Sequence, residues 1–170
     1  MLETTRWLLF PWQVAGTPAS SQRGWFRTIA EADSGKPLGR AYWRPSRLPR
    51  WLVWLGQPEL VVVETEDESH LCTLRWSWSR GWQLWDAEER YVGIIRPSHL
   101  RDPYGYCLAW LQRGTGSRLR IQTPEGQILA AAIPSGKGLE VSLAERVAAD
   151  PFTKMLLLAA VLVEARTPVG

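Results

Sequence analysis

The sequence predicts a mainly β fold: a closed antiparallel barrel of about twelve strands around a buried hydrophobic C-terminal α-helix. Three observations carry that expectation. Residues 150 to 165, Asp-Pro-Phe-Thr-Lys-Met-Leu-Leu-Leu-Ala-Ala-Val-Leu-Val-Glu-Ala, read as a helix with no polar face between Met155 and Val163. A helix apolar all round must be enclosed by protein or lipid. Most of the chain before it alternates short strand-like runs with polar turns, and roughly ten to twelve strands are enough to close a barrel and remove its edges. The interior of such a barrel is too wide for strand side chains alone to fill, so the helix is the natural filling.

Lipid is the less suitable enclosure. Crossing about 30 Å of hydrocarbon takes roughly 20 apolar residues, and the uncharged run between Lys154 and Glu164 is nine. The ends are those of a finite helix. Asp150 suits the cap, Pro151 the first turn and Arg166 the negative C-terminal end, with Pro168 a stop. The central helix is therefore placed at residues 150–166, with Phe152, Met155, Leu156, Leu157, Leu158 and Leu162 as its core side chains.

The remaining elements follow in chain order. Residues 1–20 are an N-terminal extension or a first strand; Glu3, Pro11 and two tryptophans make a poor signal peptide. One hairpin pattern then occurs three times, at residues 25–39, 82–93 and 119–130, and the copies align without gaps around their turns. Gly39, Gly93 and Ala130 fall at one equivalent position, where a small residue permits a bend or a close backbone approach. The intervals are unequal, which marks a repeated hairpin rather than a solenoid. Between the copies, Leu60 to Glu66 and Leu71 to Trp78 form a pair of strands. The second alternates, with Cys72, Leu74, Trp76 and Trp78 on one face and Thr73, Arg75 and Ser77 on the other. Tyr104 to Arg113 and Leu139 to Leu143 supply further strands.

Composition fits a single domain over residues 1–170, able to bury a core without staples. Cys72 and Cys107 read as buried reduced thiols, and the expected location is cytoplasmic and peripheral to membranes. The net charge is +3, and only Lys36, Lys137 and Lys154 among the twenty basic residues are lysines. Arginine tolerates stacked and partly buried settings, and with eleven tryptophans present many guanidinium groups are expected on indole faces.

Three features in order resemble the tubby C-terminal-like superfamily, which includes phospholipid scramblases and LURP-one-related proteins. They are Glu64-Thr-Glu-Asp-Glu-Ser-His-Leu-Cys-Thr-Leu-Arg-Trp76, the hairpin Trp82-x-Leu-x-Asp86 to Val92-Gly93, and the ending from Asp150 to Val163. The resemblance spans roughly residues 20 to 165. It implies a twelve-stranded antiparallel barrel threaded by the C-terminal helix, and action at membranes through phosphoinositide binding or lipid movement. Tubby proteins use a Lys-x-Arg pair for headgroups, and Arg118-Leu-Arg120 repeats that charge alternation. Scramblases carry an acidic calcium-linked segment before the helix and cysteine clusters. Here residues 144–150 hold only Glu145 and Asp150 as acids, and there is no cysteine cluster.

The candidate anion- or lipid-binding surface is residues 40–54, where four arginines interleave with three tryptophans and two prolines. Its members are Arg40, Trp43, Arg44, Arg47, Arg50 and Trp51, with Lys36 in the adjacent turn. Guanidinium groups would meet phosphates while indoles sit at the headgroup interface; the ordinary alternative is a solvated loop. The expected function is a non-enzymatic binding or scaffold domain associating with anionic membrane lipid. A protein-interaction or small-ligand module using the wide barrel as a pocket is the second reading, and single-stranded nucleic acid a minor one that the low charge disfavours. His70 and His99 stand alone, the acids at 64–68 and 86–89 sit in turns, and neither a phosphate loop nor a nucleophile elbow is present, so no catalytic, metal or cofactor residues are expected.

Overall fold

The computed structural model describes residues 1–14, 25–44, 59–64, 68–115, 118–147 and 149–165. The strands are β1 (Arg6–Leu9), β2 (Gln13–Val14), β3 (Trp25–Glu31), β4 (Pro37–Arg44), β5 (Glu59–Glu64), β6 (His70–Ser77), β7 (Gly81–Asp86), β8 (Tyr91–Ile95), β9 (His99–Arg101), β10 (Cys107–Arg113), β11 (Leu119–Gln122), β12 (Ile128–Ser135) and β13 (Gly138–Leu143), and the helix is α1 (Pro151–Glu164). From β3 to β13 every strand pairs antiparallel with the next, and β1 pairs with both β13 and β3, which closes a ring of twelve. Pro11 cannot donate to a ladder; the chain leaves the sheet there, and β2 rejoins β3 one step on, with Gln13 opposite Phe26.

Alternation decides what fills the ring. Trp7, Leu9, Ile29, Ala41, Leu60, Leu74, Leu84, Leu100, Ile121 and Val141 are among the side chains that form one core with Met155 to Val163 of α1. Every residue of α1 from Lys154 to Val163 is buried. Its N-cap is Asp150, which accepts from the Phe152 amide at 3.1 Å. At fourteen residues α1 is about 21 Å long, and among the described residues no helix is long and apolar enough to cross a membrane.

Phe152, expected in the core, lies outside it at 45 % exposure, its ring 5.6 Å from the Arg90 guanidinium. The first turn of α1 still projects from the barrel, so burial starts at Lys154 rather than at the first apolar residue. Lys154, which bounds the apolar run in the sequence, is itself buried and donates to the Leu2 carbonyl.

The repeated hairpin is a repeated bulge. Gly39, Gly93 and Ala130 stand opposite Ile29, Leu84 and Ile121, and in each hairpin the register slips by one immediately after that pair. A methyl at Gly39 would lie 2.5 Å from the Val63 carbonyl oxygen, and one at Gly93 would lie 2.4 Å from that of Arg101. The bend therefore brings the next strand's backbone where a side chain would stand. The turns of the second and third copies match, since Asp86 and Thr123 each bond the residues three and four further on. The first turn is one residue longer, because there Glu31 bonds Gly35 and Lys36. The gapless alignment expected from sequence thus fails by one position.

Two further details differ from the alternation. Trp78 is 82 % exposed because β6 ends at Ser77, and Thr73, on the outward phase, is buried with its hydroxyl 2.8 Å from His70 Nε2. Tyr104 and Tyr106 belong to an exposed turn, since β10 begins only at Cys107.

Candidate binding face at the barrel mouth

Alternation along β4 divides the basic, aromatic segment between two faces. Arg40 and Arg44 are exposed, whereas Trp43 packs against the core on the other face. Arg44 sits 3.7 Å from Glu59, which also binds Arg75, and Arg75 pairs with Glu89 at 2.9 Å while covering the Trp85 ring. Arg44 is thus part of a belt of charges across the outer sheet. Arg40 lines a shallow groove with Phe26, Tyr42, Val63 and Glu68. Lys36 is in the turn before β4, at the opposite end of that strand from Arg44. Arg47, Arg50 and Trp51 lie outside the described residues.

The structure gathers a different set of residues where the C-terminus of α1 emerges. The Trp12 indole N–H donates to the Ala165 carbonyl at 3.3 Å. From Trp12 an arc of indoles runs around the mouth, Trp12 to Trp43 at 6.0 Å, Trp43 to Trp82 at 5.7 Å, Trp82 to Trp76 at 5.2 Å and Trp76 to Trp78 at 6.4 Å between ring centroids. The arc starts at partly buried Trp12 and ends on Trp78 at the rim. Arg80 follows in the same turn and is exposed. Arg96, in the neighbouring turn, donates through Nη2 to the Ser79 carbonyl at 3.3 Å, while its buried Nε has no acceptor.

At the other end of the arc lies Arg27. Its β3 position is opposite Ala41 and in phase with Ile29, which places it on the inner face of the barrel. The residue is 7 % exposed, its guanidinium carbon is 5.0 Å from the Trp12 ring centroid, and Nε and Nη1 have no hydrogen-bond acceptor. Burial pushes its pKa down to about 10. Arg27 lines a cavity of about 560 Å3 together with Arg113, Arg118, Leu119, Leu139 and Val161. Arg113 is held by Glu164 through two bonds of 2.6 and 2.8 Å; Arg118 is exposed at the entrance. Of the pair Arg118 and Arg120 that echoes the headgroup motif, only Arg118 borders this cavity, while Arg120 is exposed opposite Ala131.

Sequence reasoning passed over Arg27, although the signal was there. Trp25, Arg27 and Ile29 share one phase of the alternation, so the apolar phase carries a charge.

Of the other buried polar groups, the indole nitrogens of Trp7 and Trp85 also have no acceptor among the described residues, whereas Asp86 and His99 are engaged locally. Asp86 is 2 % exposed and accepts from the amides of Glu88 and Arg90 and from Arg90 Nε at 2.6 Å. Burial alone would raise its pKa, but the bonds from Arg90 and Glu88 prevail and hold it below the ordinary carboxylate value. The Cys72 thiol, buried and opposite Asp86, is pushed up by burial and by that carboxylate. His99 is bonded to Ser98 and Arg101, and its pKa is lowered by burial and then by Arg101 and Arg96. Among the described residues no group of three or more His, Cys, Asp or Glu is placed to hold a metal ion. Comparison of the chain with protein-family models, with curated proteins and with solved structures finds no match.

Proposed function

We propose that this chain is a tubby-like binding domain that seats its barrel mouth on anionic membrane surfaces and acts by binding rather than turnover. The observation that carries the reading is Trp78, 82 % exposed at the end of the indole arc, with Arg80 beside it and Arg96 in the adjoining turn. Indoles favour the headgroup region, where the ring is half in hydrocarbon and the N–H is wet. Each basic side chain close to an anionic leaflet adds about 1 kcal/mol. The closed barrel with an enclosed C-terminal helix supports the family resemblance, and the family's association with membranes supports the partner.

Co-sedimentation with vesicles of graded phosphatidylserine and phosphoinositide content tests the proposal. Binding is expected to rise with anionic lipid, to weaken as salt shortens the Debye length from about 30 Å at 0.01 M to about 8 Å at 0.15 M, and to fall roughly tenfold in the double variant Trp78→Ser, Arg80→Ala. Binding indifferent to lipid charge, or unchanged in that variant, overturns it.

A further inference from the structure

We infer that the cavity at the barrel mouth is an internal binding site for a small amphipathic anion, its acidic head directed to Arg27 and its apolar body lying against Leu119, Leu139 and Val161. The proposal does not depend on membrane association, since the cavity lies inside the mouth and Trp78 and Arg80 are not among its walls.

The charge of Arg27 is unbalanced within the described residues. A buried ion is tolerated when it is paired and fully hydrogen-bonded, yet Arg27 is 7 % exposed with two nitrogens lacking acceptors. Its one described partner is the face of Trp12. A cation–π contact is worth about 0.5–2 kcal/mol and leaves the N–H groups of Nε and Nη1 unmet. Nothing about the fold demands a charge here, because Ala41 opposite and Ile29 in phase are both apolar and buried. The side chain is placed to meet something from outside the chain.

The surroundings define the class of ligand. The described lining contains three arginines against one carboxylate, Glu164, which is already engaged by Arg113. The excess is positive, with Arg118 at the entrance able to join Arg27 on one acidic group. Planar guanidinium forks suit carboxylate and phosphate oxygens. The rest of the wall includes Pro11, Pro134, Leu119, Leu139 and Val161, which offers nothing to a wholly polar ion and much to an apolar body. A volume of about 560 Å3 lies within the range of roughly 300–1,000 Å3 usual for small-molecule sites. An acid with a short acyl chain meets all three requirements, whether it arrives free or as part of a lipid.

Isothermal titration of the full chain with decanoate, decanol and inorganic phosphate tests this, using Arg27→Met and Arg118→Ala beside the wild type. Arg118 is exposed, so its truncation leaves the fold intact and keeps the test sound whatever Arg27→Met does to folding. Decanoate is expected to bind the wild type, several-fold more weakly in Arg118→Ala and at least about tenfold more weakly in Arg27→Met, the loss of one charge-assisted bond. Phosphate alone and decanol are each expected to bind more weakly than decanoate. Repeating the titration with dilauroylphosphatidate vesicles distinguishes a lipid from a free acid, since a lipid source requires the vesicle arm also to lose affinity in Arg27→Met. The inference is overturned if decanoate does not bind, if decanol binds equally well, if phosphate binds more tightly than decanoate, or if Arg118→Ala leaves decanoate affinity unchanged.

Discussion

Asp86 and Arg27 are both charged, both buried and both on the inner face of the barrel, Asp86 level with Cys72 and Arg27 level with Ala41. Their surroundings are opposite. Asp86 has two amides and a guanidinium as donors, and its pKa is held low. Arg27 has an indole face and two nitrogens without acceptors, and its pKa is pushed down to about 10. The first arrangement holds a hairpin turn together, with Arg90 extending over the Phe152 ring at the start of α1. The second costs stability at neutral pH, and a cost kept in a buried position marks a place where a partner belongs. Burial by itself therefore does not distinguish structural from functional charges; the account of their hydrogen bonds does.

Both charges are buried only because the barrel interior is closed around α1, and the largest expected effect comes from opening it. Leu158→Asp is expected to abolish folding, because α1 has no exposed face there, whereas Leu158→Ala should cost about 2–5 kcal/mol by chemical denaturation. A folded, cooperatively melting Leu158→Asp protein would remove the interior on which the contrast rests.

Asp86→Ala is expected to lose about 2–3 kcal/mol, because the Glu88 and Arg90 amides lose a charged acceptor. The contribution of Asp86 is complete above the ordinary carboxylate pKa, since its folded value is depressed, and it is lost as pH falls through that lower value. The gap between wild type and variant should therefore close in acid, and thermal melts across pH 2–6 would follow it. A gap constant with pH would deny that the charge matters.

Arg27→Met should move the other way. Replacing an unpaired buried charge by an apolar chain of similar length is expected to stabilise by about 1–3 kcal/mol at pH 7, even as anion binding is lost. Because burial lowers the folded pKa to about 10, below the ordinary arginine value, the wild type recovers stability as pH rises above about 10, so its deficit against Arg27→Met should shrink over this alkaline range. Destabilisation by this substitution would place Arg27 with Asp86 as a structural charge. The smallest effect is expected at Phe152→Ala, less than about 1 kcal/mol, since the lost contact is one exposed cation–π pair; a loss above about 3 kcal/mol would show that the residue belongs to the core after all.

Much of the fold is legible in the sequence. The buried stretch from Met155 to Val163 of α1 was visible because a helix with no polar face has nowhere to be but inside, and the hairpins because their strands and turns recur; the burial of Lys154 was not. Gly39, Gly93 and Ala130 were marked as one set, with a bend or a close backbone approach as the reason, and the structure shows a register shift at all three and a close backbone approach at the two glycines. The site was far less legible. The segment chosen for its richness in Arg and Trp is split by the pleat into outward Arg40 and Arg44 and inward Trp43, because adjacent residues of a strand point to opposite faces.

By itself, then, the sequence determined which stretches pair, that the sheet has strands enough to close, and which helix fills it, since period and apolarity are local properties that need no neighbour to be read. Only the tertiary structure decided which residues meet at the mouth. Trp12, Arg27, Arg113, Arg118 and Glu164 are brought together by closure of the ring between β1 and β3 and by the direction in which α1 runs through it. Likewise, whether a buried charge whose own turn supplies no partner finds its donors or acceptors depends on groups far away in the chain. That dependence is why Asp86, satisfied within its own turn, could have been placed from its hairpin alone, while the unmet state of Arg27 appears only once the barrel is closed.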